Sequence, residues 1–428
     1  VTSIEWVKNA DGSQGRTWNP IRGCTRVSPG CGGPGPHGGC YAEVIAARFS
    51  GPGLPYHGIA EMRGGKARWT GKLAFIEEKL TEPLKVRKPT TWFVNSMSDL
   101  FHEGVPDEWI DRVFAVMALC PQHTFQVLTK RPARMREWFE ERWQPTPAQR
   151  IEFPGLPAFD APAQAEGDDR HERVYQAAGE FLDLDTVSDR FWNPDGSRKW
   201  PGWPLPNVWL GVSAEDQRRA DERVPDLLAT PAAVRFVSAE PLLGPIDFSN
   251  MELSGDYVLD ALSPASAKDI WNDCWSPEAT GMPLDECIRD FEEEGHSYPP
   301  SETKRPGLDW IIVGGESGPG ARPMHPDWAR QIRDACAAAG VAYLFKQWGA
   351  FQHGSTMGRA TSLDRIVFND GRILTDVTMP ACKAEDRENG WKGRAPEMMA
   401  LVGKKAAGRL LDGVEHNGFP AAAHPAGA

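Results

Sequence analysis

No stretch of this 428-residue sequence approaches the roughly 18 to 20 consecutive apolar residues that a membrane-spanning helix needs, so no membrane association is expected. The amino end, VTSIEWVKNADGS, lacks the basic, apolar, small-residue order of a secretion signal, which points to a cytoplasmic protein. Neither GxxxxGK[ST] nor HExxH occurs, leaving P-loop nucleotide hydrolysis and zincin-type proteolysis without support. No Ser/His/Asp arrangement stands out, so an ordinary hydrolase has no positive signal either. Positive charge is short: 47 Lys and Arg face 59 Asp and Glu, and the net charge of -12 argues against coating nucleic acid by charge alone. No solenoid repeat is visible.

What is present is enough apolar residue, 40%, to bury a large core, and an uneven use of cysteine. Of eight cysteines, Cys120, Cys274, Cys287, Cys336 and Cys382 are scattered, unlike a secreted disulfide framework. The other three, Cys24, Cys31 and Cys40, fall within seventeen residues of one Gly/Pro-rich segment, GCTRVSPGCGGPGPHGGCYAE. Free thiols belong in cores, and this segment supplies no core, so a metal is the expected reason for them.

Seven apolar runs read as strands: 16–24, 90–99, 124–132, 207–216, 234–241, 308–317 and 341–349. Helical patterns alternate with them. In DEWIDRVFAVMALC, Trp109, Ile110, Val113, Phe114 and Met117 share one face after a helix-starting Pro106. In HPDWARQIRDACAAAG, Trp328, Ile332 and Cys336 do the same, with Gly340 as the stop. Apolar strands alternating with such helices predict an α/β fold, a partial (β/α) barrel of about six to seven parallel strands or a doubly wound sheet. Two long insertions, at about 144–206 and 247–307, interrupt the alternation within residues 1–350. Residues 351–428 read as a C-terminal appendage with a short hairpin at RIVFNDGRILTD and an Ala/Pro/Gly end whose composition predicts disorder.

Ligands bind at the carboxyl ends of parallel strands. WLGVSAED, RFVSAEP and IIVGGES deliver Glu215, Glu240 and Glu316 there, and Asp99, Lys130, Arg131, Lys346 and Gln347 fall at corresponding places as candidate substrate-binding residues. A polar barrel mouth is the expected result.

The cysteine spacing, C-x6-C-x8-C after the first strand, leaves three readings open. Cys24, Cys31, His37 and Cys40 form a legitimate Cys3His zinc set. The three thiolates alone suit an iron-sulfur cluster with one iron lacking a protein ligand. Such a cluster also serves as a Lewis acid. Position at the functional face favours chemistry over structural stitching.

Three cysteines from one loop after the first strand, followed by an α/β barrel, resemble the radical S-adenosylmethionine enzymes. More closely, the blocks WNPIRGCTRVSPGC, FVNSMSDLFHEGVP, FQVLTKRP, VWLGVSAED, RFVSAEPLLGPI, WIIVGGESGPGARP, FKQWG and KKAAGRLLDG are similar to an uncharacterised, phage-associated three-cysteine family that is itself radical-SAM-like. The resemblance implies a [4Fe-4S] cluster on Cys24, Cys31 and Cys40, S-adenosylmethionine as cosubstrate, a reducing electron donor, and, for a phage-encoded chain, the bacterial host cytoplasm. It also implies cofactor contacts from Asn95, Ser96 and Ser98, and the strand-end Glu215, Glu240 and Glu316 are further cofactor-binding candidates. The sequence departs from the wider superfamily in its longer spacing, in Tyr41 following the last cysteine, and in NSMSD standing where a Gly-Gly-Glu is usual.

For the substrate, the basic stretches 85–89, 129–136 and 404–409 and tryptophans such as Trp18, Trp69 and Trp348 suit a nucleotide or nucleic acid, since phosphates position and rings stack. Solvated charge and core tryptophan are the alternative. Phage association tilts the expectation toward modification of a nucleobase or nucleotide. A zinc- or cluster-containing binding protein without catalytic activity is the competing class.

Overall fold

The structure, a computed structural model, describes residues 2, 4–32, 40–140, 149–151, 159–161, 169–181, 201–252, 258–263, 277–293, 306–318, 320–353, 365–374 and 396–421. Seven strands form its central sheet: β1 (Arg16–Trp18), β2 (Thr91–Val94), β3 (Thr124–Thr129), β4 (Val208–Ser213), β5 (Val234–Ala239), β6 (Trp310–Gly314) and β7 (Ala342–Gln347). All neighbours are parallel, and spatial order equals chain order. Every crossover therefore steps the same way, and right-handed connections then place the helices on one face. The sheet curls into a half-barrel, as the alternation of strands and helices predicts.

Side chains alternate between the two faces with the strand period of two. Trp92, Val94, Phe125, Val127, Leu210, Val212, Ile311 and Val313 lie in the outer core. There they meet helices α1 (Tyr41–Arg48), α2 (Asp107–Ala118), α3 (Pro132–Glu140), α4 (Asp169–Gly179), α5 (Gln217–Ala229) and α6 (Pro326–Ala339), α1 excepted, since it belongs to a separate small cluster. Phe93, Trp209, Phe236, Trp310, Ile312 and Leu344 fill the concave side with Trp6 and Val7. Gly211 makes room for this packing, because a Cβ there would stand 2.5 Å from the Phe236 ring.

Two segments distant in sequence, around Trp6 and around Phe419, enter the concave side. Trp6 meets Phe93 edge-on at a centroid distance of 4.8 Å, and Phe419 lies 5.0 Å from Trp310. Trp310 Nε1 donates to the Gly418 carbonyl at 2.8 Å, and Asn417 bridges antiparallel to Leu344.

The helix signals hold. Pro106 caps α2, whose Ile110, Val113, Phe114 and Met117 are buried. Trp109 is only half-buried, at the helix edge against Phe75, 5.0 Å away. Gly340 ends α6 in the left-handed region at φ 72°, with Trp328, Ile332 and Cys336 inward. The DG hairpin forms as Arg365–Phe368 against Ile373–Leu374, inside a four-stranded sheet with Phe351–His353 and Pro396–Leu401. From the first insertion, α4 packs on α2, and its fully buried Arg170 donates to Asp111 at 2.7 Å.

Candidate functional site

The mouth is assembled where the parallel strands end. After β1 the chain turns at Gly23, whose φ of 97° and close approach to the Lys72 carbonyl leave no place for a side chain. Gly23 bridges parallel to Ser98, so Cys24 is delivered beside the end of β2.

Beneath Cys24 sits an ion-paired floor. Arg131 Nη1 is 3.0 Å from Asp99 Oδ2 and 3.9 Å from the Cys24 Sγ, while Nε donates to Glu103 at 2.8 Å and Nη2 to Thr25 Oγ1 at 2.8 Å. Asp99 is itself fixed by Thr129 Oγ1 at 2.7 Å and the Lys130 N–H at 3.1 Å. The pair is nearly fully buried, and its remaining hydrogen bonds are satisfied, which is the condition for such a pair to be tolerated. Burial pushes the Cys24 thiol up to about 12; the Asp99 charge adds to this, Arg131 opposes it, and Cys40 and Cys31 contribute further. Burial raises the Cys40 thiol as well.

The other side of the loop is held by later strands. The turn Pro29–Cys31 offers the Gly30 N–H to Glu215 Oε1 at 2.9 Å. Glu215, fully buried, also meets Arg223 at 3.0 Å and Lys130 at 3.9 Å. Burial alone would raise its carboxyl, but Lys130, Arg223 and the Gly30 N–H hold it below the usual carboxylate range. Arg322 grips Glu316 through Nε and Nη2, at 2.8 and 2.9 Å, and donates to the Pro29 carbonyl at 2.9 Å. Glu240 accepts from Lys346 Nζ at 2.8 Å and Gln347 Nε2 at 3.2 Å.

Of the three residues assigned by resemblance to the cofactor, two have occupied hydroxyls. Ser96 Oγ donates to Asn19 Oδ1 at 3.1 Å and Ser98 Oγ to the Ile21 carbonyl at 2.9 Å. Asn95 differs. It adopts φ 57°, is 2% exposed, and neither its Nδ2 nor its Oδ1 has a hydrogen-bond partner. A buried amide left unmade at both ends is costly, and ordered water or a bound ligand would compensate it.

The donor set suits an iron-sulfur cluster: three thiols on one segment, no carboxylate between Cys24 and Cys40, and a guanidinium beside Cys24 able to offset thiolate charge. Among the described residues no three Cys, His, Asp or Glu side chains are already gathered into a metal-ready set. Cys24, Cys31 and Cys40 are partly buried free thiols. His37 lies outside the described residues, as do Cys274 and Cys382.

Sequence reasoning missed Arg322, Arg223, Thr25, Glu103 and His102, whose Nε2 lies 2.9 Å from Thr25 Oγ1. Arg223 had only a weak signal, as a cation on the helix that directly follows Glu215. Arg322 had none beyond following Glu316 by six residues. Two proposed stacking rings are core instead: Trp18 is fully buried with Nε1 bonded to the Lys79 carbonyl, and Trp348 is 5% exposed. Trp69 is half-buried in a hairpin. The basic stretch 85–89 precedes β2 and so lies at the end of the barrel away from the mouth. Of 129–136, Arg134 and Arg136 pair with Asp107 and Asp226, leaving Lys130 and Arg131 to the mouth. A cavity of about 400 Å³, lined in part by Lys8, Thr91, Gln126 and Trp209, opens at that opposite end.

Fold and mouth define an α/β protein of the parallel half-barrel class, with thiols, carboxylates and cations collected where its strands end. Within that class, the chain belongs to the family described as Protein of unknown function (DUF5131), which matches residues 1–420. No curated protein and no solved structure matches it. No helix among the described residues is long and apolar enough to cross a membrane.

Proposed function

We propose that this protein is a radical S-adenosylmethionine enzyme that modifies a nucleobase or nucleotide in a phage DNA modification pathway. The observation that carries the reading is the position of the cysteine loop. It follows β1 and is tied by Glu215, Arg322 and Arg131 to the ends of β4, β6 and β3, and Asn95, whose amide has no hydrogen-bond partner, stands just past the end of β2. The phage and superfamily elements rest on the sequence resemblance alone.

Cys24, Cys31 and Cys40 would hold a [4Fe-4S] cluster, which together with S-adenosylmethionine and a reducing electron donor supplies a hydrogen-abstracting 5′-deoxyadenosyl radical. The chain's own share is positioning and exclusion of water. Asn95 offers one donor and one acceptor to a zwitterionic ligand end, which matches the amino and carboxylate groups of the methionyl portion. Lys130 and Lys346, each held by a glutamate, present cations toward substrate oxygens. The Asp99–Arg131 pair keeps Cys24 in place, and the Trp6 plug closes the barrel interior below.

The test is anaerobic reconstitution with iron and sulfide, followed by low-temperature electron paramagnetic resonance of the reduced protein. A four-iron signal that shifts with S-adenosylmethionine and vanishes in Cys24→Ala supports the enzyme. One equivalent of zinc and no iron signal makes it a binding protein with a Cys3His site. A cluster that yields no 5′-deoxyadenosine makes it a Lewis-acid enzyme.

A further inference from the structure

The segment between Cys40 and β2 is a small unit of its own. Helix α1 packs Ala42, Ala46 and Ala47 against Tyr56, Ile59 and Ala60, and the hairpin Ala60–Arg63 with Lys66–Trp69 turns through Gly64 and Gly65 at φ 57° and 74°. It is anchored at the mouth three times. Tyr41 donates its hydroxyl to the Ser96 carbonyl, Arg22 reaches the Pro55 carbonyl at 3.0 Å with its guanidinium over Tyr56, and the Lys72 backbone abuts Gly23.

Its charge runs against that of the chain. Residues 41–75 carry five Lys and Arg against two Asp and Glu, in a protein of net charge -12. One of those acids, Glu43, is buried and bonded to Arg26, with Arg68 at 3.9 Å. Arg48, Arg63, Lys66 and Lys72 form no ion pair with a described residue. Beside these cations stand large apolar side chains facing water. Tyr41 and Ile45 stand one turn apart on α1, away from its buried alanines, and Phe49 follows at its C-terminal cap, with Phe49 48% and Met62 on the hairpin 61% exposed. A merely solvated face has no use for such a row.

We infer that this unit is a docking surface for single-stranded nucleic acid, which it holds beside the barrel mouth. Unpaired cations attract a polyanion, and outward rings and thioethers meet bases only where those bases are unstacked, which selects single strands over duplex. The inference deepens the nucleic-acid side of the proposed function and does not depend on the cluster.

The experiment is fluorescence anisotropy of a labelled single-stranded DNA 20-mer with the full chain purified in air, titrated across potassium chloride. Four phosphate contacts predict a log–log salt slope of about -3, at roughly 0.7 per contact. Replacing the four cations, as Arg48→Gln, Arg63→Gln, Lys66→Gln and Lys72→Gln together, should flatten that slope and weaken binding by about tenfold or more at low salt. Phe49→Ala should weaken binding with the slope unchanged. Lys85→Gln with Arg87→Gln and Lys88→Gln, at the far end of the barrel, should change neither. Thermal melting of each variant separates lost contacts from lost fold. No binding at low salt, equal affinity for duplex, or a quadruple variant that melts normally and binds as before each overturns the inference. Binding without a paramagnetic cluster would retain this surface and remove only the radical chemistry; a cluster without binding would do the reverse.

Discussion

Gly30 and Glu215 are 185 positions apart in sequence, yet the Gly30 N–H donates to Glu215 Oε1 at 2.9 Å. A Cβ at position 30 would stand 3.0 Å from that carboxyl carbon, so the absence of a side chain is what allows the approach. The cysteine loop is thereby fastened to the fourth strand of the sheet, and the charge on Glu215 is shared between the loop and Arg223.

Glu215→Gln should therefore destabilise the fold by about 3 kcal/mol at pH 7, because Arg223 is left buried without its counter-charge. The carboxyl has its folded pKa depressed, so its contribution is complete above the unfolded value of about 4.3 and is lost as pH falls through the lower folded value. Urea unfolding of both proteins between pH 7 and pH 3 checks this. The gap between them should narrow only on the acid side.

Asn95 should separate ligand binding from folding. Glycine accepts φ 57° freely and removes two unsatisfied buried polar atoms, so Asn95→Gly should melt at or near the parent temperature. Asn95→Leu should lose about 1 to 2 kcal/mol from the left-handed backbone alone. Both should weaken S-adenosylmethionine binding to reconstituted protein at least tenfold by calorimetry. Unaltered affinity in Asn95→Gly would remove Asn95 from the site.

Metal analysis of single variants divides the readings of the loop. If a cluster occupies it, Cys24→Ala, Cys31→Ala and Cys40→Ala should each lose iron, while His37→Ala keeps it. In the zinc alternative His37→Ala loses metal along with the cysteines.

Gly211→Ala tests the concave core. The new methyl would fall 2.5 Å from the Phe236 ring, which cannot move without disturbing Trp6 and Trp310. A loss of about 1 to 3 kcal/mol is expected, read from the shift of the urea midpoint.

The sequence was most legible where one period dominated. All seven strands stood out as short apolar runs ending in polar residues, the helices at Asp107–Ala118 and Pro326–Ala339 because their apolar residues repeat at three to four positions, and Gly340 marks its own stop. The mouth was half legible. That Glu215, Glu240 and Glu316 lie at strand ends followed from the runs before them. That Glu316 is spent on Arg322, Glu240 on Lys346 and Gln347, and the Ser96 hydroxyl on Asn19 depends on side-chain directions that no spacing encodes. Trp18 misled for the same reason: it stands next to polar residues in sequence, but its strand turns it toward the outer core. The basic unit at 41–75 escaped notice because its cations are spread over twenty-five residues and become neighbours only when α1 and the hairpin pack.

The aromatic interior joins two segments that are far apart in sequence, with Trp6 and Phe419 both against Trp310. During synthesis on the ribosome, Trp310 emerges more than a hundred residues before Phe419, and Leu344 waits for Asn417 to cover its strand edge. The nascent barrel therefore has an uncovered apolar flank until residues 417–419 have been made. A stop codon shortly before residue 416 would leave every strand of the sheet in place and still expose that flank, which makes such truncations candidates for aggregation rather than for a smaller working protein.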